Sequence, residues 1–146
     1  MKVIIIGGGW SGCMAAITAK KAGAEVVVYE KTDMLLGLGN AGGIMRNNGR
    51  YTAAEELIAL GAGDLIHVTD TNSRHKNVDF PGHKNAWLYD VNKFEPAVVK
   101  HLRFMDIELN MITRVVDVEK AGNTIKGLYL SDGKYVEADI FIETTG

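Results

Sequence analysis

Near the start of the chain, Gly7-Gly8-Gly9-Trp10-Ser11-Gly12 fits the spacing G-x-G-x-x-G between an apolar run and a helical one. In that setting each glycine has its own task. Gly7 permits a tight turn, Gly9 lets the backbone approach a pyrophosphate, and Gly12 lets the helix pack closely on the strand. The first turn of the helix carries amide hydrogens with no partner inside the helix, at the positive end of its dipole, so a diphosphate can bind there without a lysine. Glu30 follows eighteen positions after Gly12, at the end of the next apolar run. A carboxylate placed there accepts hydrogen bonds from the hydroxyls of an adenosine ribose and repels a 2′-phosphate. The glycine spacing alone would also describe an ordinary tight turn, and Glu30 alone a solvated acid at a strand end. Strand, glycines, helix, strand and terminal acid together describe a dinucleotide site.

A second glycine group, Gly37, Gly39, Gly42, Gly43 and Gly49, lies beyond Glu30. It reads either as a backbone surface for the same ligand or as a loop that uses glycine for positive φ. Arg46, Asn47, Asn48 and Arg50 come next; they either orient an anionic group, since Arg offers a planar fork to carboxylates, or belong to a solvated loop. Trp10 either shields a cofactor or fills the seam between sheet and helix, and both readings stay open. Cys13, in the first turn of a helix, could have its pKa lowered by the dipole, but the small residues around it favour a packing role. His67, His75, His83 and His101 have no metal-ligand spacing, so no metal site is expected. No acid–base pair stands out, and no catalytic residue is named.

These residues need elements to hold them. Val3 to Ile6 is an unbroken β-branched run, the mark of a parallel strand buried on both faces. Residues 10–22 switch to a helical pattern with a small-residue face of Ala15, Ala16 and Ala19, closed by Gly23. Glu25 to Tyr29 is a second strand, so the opening 29 residues spell one right-handed βαβ unit. Thr52 and Glu55 make a capping box for a short helix over residues 53–60, with Gly61 after it. Residues 69–84 are polar, contain Pro81-Gly82 and read as a loop. Phe94, Val98, Leu102 and Met105 mark an amphipathic helix with Pro96 in its first turn and Asp90 or Asn92 as its cap. Short strands are predicted over residues 107–112, 115–119, 125–130, 135–138 and 140–143. The turn signals Ala121-Gly122-Asn123 and Asp132-Gly133 make the middle three an antiparallel meander.

The 146 residues, 47% apolar, suffice for one domain with a true core, so residues 1–146 are read as a single dinucleotide-binding domain. Seventeen glycines exceed the usual share of about 7%. A formal charge of −2 with no long basic run argues against nucleic acid as a partner. The apolar stretches fall short of the roughly 20 residues of a membrane span, and the start lacks the apolar core of a secretory signal. A cytoplasmic protein acting on a small molecule, without membrane contact, is expected. With Cys13 as the sole cysteine, an internal disulfide or CxxC redox pair is impossible. Any redox chemistry therefore needs a borrowed cofactor.

The segments IIIGGGWSG, VVVYEK, LGLGNAGGI and ADIFIETTG together resemble the FAD domain of the glutathione-reductase-like FAD-dependent oxidoreductases. The resemblance covers nearly the whole chain. It implies a three-layer α/β FAD/NAD(P)-binding, Rossmann-like fold, with a central parallel sheet flanked by helices on one side and a β-meander on the other. It implies FAD as cofactor, with flavin-mediated transfer of a hydride or electrons to an unknown small substrate. Gly7, Gly9, Trp10, Ser11 and Gly12 would surround the pyrophosphate, Glu30 would hold the ribose and Lys31 would flank the adenosine. Gly37, Gly39, Gly42 and Gly43 would run beneath the diphosphate towards the flavin. Val116 would meet the adenine through its backbone, and Thr145 and Gly146 would lie beside the AMP half. The family continues into a substrate domain, so the chain is expected to be the N-terminal part of a larger enzyme, completed by further chain or by a second polypeptide. The alternatives are an NAD- or ADP-ribose-binding module without flavin and an FAD-fold enzyme of the thiazole-biosynthesis type.

Overall fold

The computed structural model describes residues 1–47 and 54–146. A parallel four-stranded sheet runs through the middle, in the order β10-β1-β2-β6. Its strands are β1 (Lys2–Ile6), β2 (Glu25–Tyr29), β6 (Glu108–Asn110) and β10 (Ile140–Glu143). Val3 pairs with Val26 on one side and Ile140 on the other, so β1 is central, and its side chains enter two cores, Val3 and Ile5 one and Ile4 the other. The chain leaves β1 for β2 on one side and ends in β10 on the other, which puts the reversal of strand order at the carboxyl end of β1, where open α/β sheets place ligands.

Helix α1 (Trp10–Lys21) connects β1 to β2 and buries Gly12, Cys13, Ala16 and Ile17 against the sheet. Its small side chains allow that approach. Gly12 is the extreme case: a Cβ there would sit 1.9 Å from the carbonyl oxygen of Gly7. The same layer contains α4 (Val91–Phe104), whose buried Phe94, Val98 and Leu102 recur every four residues and face the core that α1 also covers. Asp90 caps α4, its carboxylate accepting from the Asn92 amide at 3.1 Å. With Asp90, one of the two expected caps, starting the helix at Val91, Pro96 stands in its second turn rather than its first, where its ring forfeits one backbone hydrogen bond.

The opposite face is covered as predicted. Strands β7 (Val115–Ala121), β8 (Thr124–Leu130) and β9 (Tyr135–Val136) form an antiparallel meander. Leu128 and Leu130 pack from it onto Ile4, Val27 and Tyr29. Alternate residues of each central strand thus serve two separate cores, which is why an unbroken apolar run was needed. Helices, parallel sheet and meander make the three layers expected.

Residues 46–89 depart from expectation in two places. The short helix does not stop at Gly61. It runs as α2 (Ala54–Leu57), passes through a wide turn over Ile58–Ala62 and continues as α3 (Gly63–Thr71). Gly61 takes φ 96°, a helix-ending conformation, but the chain resumes. Leu65 is fully buried beneath it, and Lys21 ties the turn to α1, donating to the Gly61 carbonyl at 2.9 Å and pairing with Asp64 at 3.0 Å. The Thr52 half of the predicted capping box lies outside the described residues.

The second departure is a correction: residues 69–84 are not a loop. After α3 the chain forms β4 (Ser73–Phe80), turns at Pro81-Gly82 and returns as β5 (His83–Tyr89), with β3 (Arg46–Asn47) on the other edge. Much of this small sheet is exposed, so polar residues occupy it and the apolar alternation that signals a strand is missing. Among the described residues no helix is long and apolar enough to cross a membrane.

The Gly12 contact yields the first prediction. Gly12→Ala forces its methyl group into backbone that cannot withdraw like a flexible side chain, so it should lower stability by about 3 kcal/mol, read as a reduced urea midpoint. A midpoint equal to that of the unsubstituted chain would mean that α1 is free to slide away from β1.

Candidate functional site

At the end of β1 the chain reverses at Gly7, φ 101°. The Gly7 amide donates to the Tyr29 carbonyl at 2.8 Å, joining the turn to the end of β2. Gly9 is the N-cap of α1; no side chain caps the helix and no acid lies in its first turn. A Cβ on Gly9 would meet nothing within 4 Å. The turn is therefore open above the positive end of the helix, the arrangement that receives anions.

The turn is one wall of a cleft of about 400 Å³, within the usual range for small-molecule sites. Its lining includes Gly7 and Gly9 from the turn, Glu30, Lys31 and Thr32 from just past β2, Gly37, Leu38 and Gly42 from the second glycine group, and Thr113, Arg114, Thr144 and Thr145. The second glycine group does meet the first: a Cβ on Gly37 would lie 3.6 Å from the Gly9 Cα. Of the residues expected at the site, Gly7, Gly9, Glu30, Lys31, Gly37, Gly42 and Thr145 line this cleft.

The other expected residues are not among those lining the cleft. Gly12 is spent in the helix–strand contact. Ser11 is exposed on the first turn of α1, Gly43 is exposed at φ 71°, and Gly146 is exposed at the end of the chain. The Val116 side chain is 58% exposed on β7, and its neighbour Val115 lines the cleft; the contact expected of Val116 was through its backbone, which this exposure does not bear on. Trp10 fills a seam: its ring centroid is 5.4 Å from Phe94 and 6.0 Å from Tyr89, and Gly39 is bare because a Cβ there would come within 2.6 Å of the indole nitrogen. Arg46 and Asn47 form strand β3 and are not walls of the cleft; Asn48, Gly49 and Arg50 lie outside the described residues.

Glu30 is 94% buried, and its carboxylate is held on both sides. One oxygen accepts from the Gly8 amide at 2.7 Å, the other from the Thr32 amide at 2.8 Å. It is not a solvated strand-end acid. Thr144, which the sequence analysis passed over, clamps the turn from β10. Its amide donates to the Ile6 carbonyl at 2.9 Å, and its hydroxyl lies 2.9 Å from the carbonyls of both Ile6 and Gly7. Thr113 and Arg114 were also missed. A polar residue just outside a strand carries no periodic signal, and only the tertiary fold brings these two to the cleft, where the Thr113 amide donates to the Glu30 carbonyl at 2.9 Å.

Burial is the main influence on Cys13. It is fully enclosed, its thiol donates weakly to the Gly8 carbonyl at 3.4 Å, and desolvation pushes its pKa up to about 12, so the lowered pKa considered from its place in the helix does not occur. Tyr89 is likewise pushed up to about 12 by burial, its hydroxyl donating to the Ile44 carbonyl at 3.1 Å. Among the described residues, no three of His, Cys, Asp and Glu are grouped to hold a metal.

With this geometry in view, the chain matches the model of the glucose inhibited division protein A family over residues 2–146. It belongs to that family. Curated relatives include the chloroplastic zeaxanthin epoxidase of Nicotiana plumbaginifolia, 26% identical over all of this chain and 25% of the epoxidase. Another is the FAD-dependent urate hydroxylase of Mycolicibacterium vanbaalenii, 27% identical over all of this chain and 40% of the hydroxylase. The chain thus spans a quarter to two fifths of the length of these relatives. Among solved structures, FqzB superimposes with a TM-score of 0.70 at 20% identity, covering all of this chain and 36% of that one. The tetrameric form of 2-methyl-3-hydroxypyridine-5-carboxylic acid oxygenase gives 0.64 at 20% identity, over 96% of this chain and 38% of that one. At such identities these two show the fold alone. Family and relatives bear out the reading of the chain as an FAD-binding domain, and the solved structures bear out its fold.

The state of Cys13 is directly measurable. The folded protein should leave a thiol reagent unreacted at pH 8 and consume one equivalent only on unfolding. Because the unfolded thiol ionises from about 9 while the buried one stays protonated to about 12, Cys13 stabilises the fold fully below pH 9 and progressively less above it. Rapid labelling of the native chain would contradict this burial.

Proposed function

We propose that the cleft binds FAD in an extended form, with its adenosine beside Glu30 and its diphosphate above the N-terminus of α1, as part of an enzyme that oxidises or reduces a small molecule. One observation carries the reading: an uncapped glycine turn at the positive end of a helix, with a buried carboxylate on the wall of the same cleft.

The residues fit such a ligand. The bare face of Gly9 gives phosphoryl oxygens access to the amides of the first turn of α1, where hydrogen bonds to the charged group act together with the helix dipole. A carboxylate has about four acceptor positions, and the two backbone amides on Glu30 leave room for ribose hydroxyls. Lys31 and Arg114 set positive charge at the exposed rim, which draws an anionic nucleotide inward. Leu38, 73% exposed on the glycine-rich wall, offers apolar surface to a bound ligand and excludes water from it. When bound, FAD supplies the hydride- and electron-transfer chemistry itself, and the chain supplies position and charge.

The greater length of the relatives supports the further proposal that additional chain, or a second polypeptide, completes the flavin end and selects the substrate. The test is binding. The protein should take up FAD and ADP more tightly than NADP, whose 2′-phosphate would meet Glu30. Glu30→Ala should weaken ADP by roughly 10- to 150-fold, the worth of about 1.5 to 3 kcal/mol for hydrogen bonds to a charged group. Equal affinity for NADP, or no loss on the Ala substitution, would remove Glu30 from the ligand site.

A further inference from the structure

The nucleotide reading gives Glu30 one task, holding a sugar, but its two strongest contacts are with the chain itself. Both carboxylate oxygens face backbone N–H groups: Gly8 at 2.7 Å and Thr32 at 2.8 Å. The carbonyl of Gly8 is held at the same time, accepting from the Leu36 amide at 2.7 Å. Leu35 closes the remaining side, since a Cβ on Gly8 would come within 2.6 Å of its Cδ2. The Gly8 residue is thereby gripped from the end of β2 and from the loop after it, between the reversal at Gly7 and the helix cap at Gly9.

We propose that Glu30 is a positioning residue for the diphosphate as well as a ribose ligand: its carboxylate fixes Gly8, and so fixes the direction in which Gly9 and the first amides of α1 present themselves to phosphoryl oxygens. The inference rests on the nucleotide reading and adds a second role to one of its residues. A carboxylate is the side-chain group that suits this position, because it accepts at both oxygens. Glutamine would turn an NH2 towards one of two backbone N–H groups, leaving a buried donor facing a donor. Aspartate carries the same carboxylate but, one methylene shorter, sets it back from the Gly8 amide.

Thr32 makes the two tasks compatible. Its hydroxyl stands 2.9 Å from one Glu30 oxygen and 2.8 Å from the Met34 carbonyl. It has a single proton and so serves one acceptor at a time. Donation to Met34 releases a lone pair of Glu30 for a ribose hydroxyl while both backbone bonds remain.

Separating the two roles requires a nucleotide that retains adenine and diphosphate but lacks the sugar hydroxyls. Calorimetry with ADP and with 2′,3′-dideoxy-ADP on the unsubstituted protein and on Glu30→Gln serves that purpose. The expected result is that Glu30→Gln weakens both ligands, 2′,3′-dideoxy-ADP by about tenfold. If only ADP is weakened, Glu30 acts on the ribose alone and this inference falls while the nucleotide reading stands. If the unsubstituted protein binds neither ligand, the nucleotide reading itself falls and takes the inference with it. Hydrogen exchange at the Gly8 amide of the unsubstituted protein decides the matter even if the variant does not fold. Protection like that of β1 is expected, and exchange at the rate of an open loop overturns the proposal.

Discussion

The contact between Gly12 and the Gly7 carbonyl governs the geometry of the whole site. It exists because neither partner can yield: one is backbone at the end of β1, the other backbone inside α1, and a single methyl group between them would sit at 1.9 Å. Bringing them together seats α1 on the sheet, aims its N-terminus along the carboxyl ends of the strands, and leaves the turn no freedom except the positive φ that Gly7 supplies. Thr144, just past β10, and Glu30, just past β2, then hold that turn from the ends of the two strands flanking β1. The site is thus a property of the sheet, formed where three parallel strands end side by side.

Much of this could be read directly from the sequence, and where it could, the reason was burial. Val3 to Ile6 and Glu25 to Tyr29 lie between two cores, so their composition is constrained on both faces and the strand pattern is plain. Phe94, Val98 and Leu102 signal α4 for the same reason. The meander shows itself through Gly122 and Gly133, which occupy turns at positive φ. The hairpin of β4 and β5 gave no such signal, because water solvates much of it and its residues are free to be polar. Gly61 misled in another way. Its left-handed conformation is a common helix stop, but Leu65 and the Lys21–Asp64 pair carry the chain on into another helix.

The candidate site divides along the same line. Glycines whose absence of a side chain is structurally necessary, Gly7 and Gly12 above all, announce themselves by spacing. The threonines do not. Thr32, Thr113 and Thr144 stand just past the ends of the central strands or just before β7, where any polar residue is admissible, and only the assembled sheet shows that they surround one cleft. Glu30 was found, but its second set of partners was hidden, since nothing local in the sequence connects its carboxylate to an amide 22 residues earlier. The family model spans residues 2–146, a stretch that contains the glycine turn, Glu30 and the three threonines alike.

The central claim is that this turn receives a diphosphate, and a crystal structure of the protein with ADP tests it most directly. The account predicts the two phosphoryl groups above Gly9, within hydrogen-bond distance of the first amides of α1, and the ribose against Glu30. Nucleotide seated anywhere else, with the turn still empty, would contradict it.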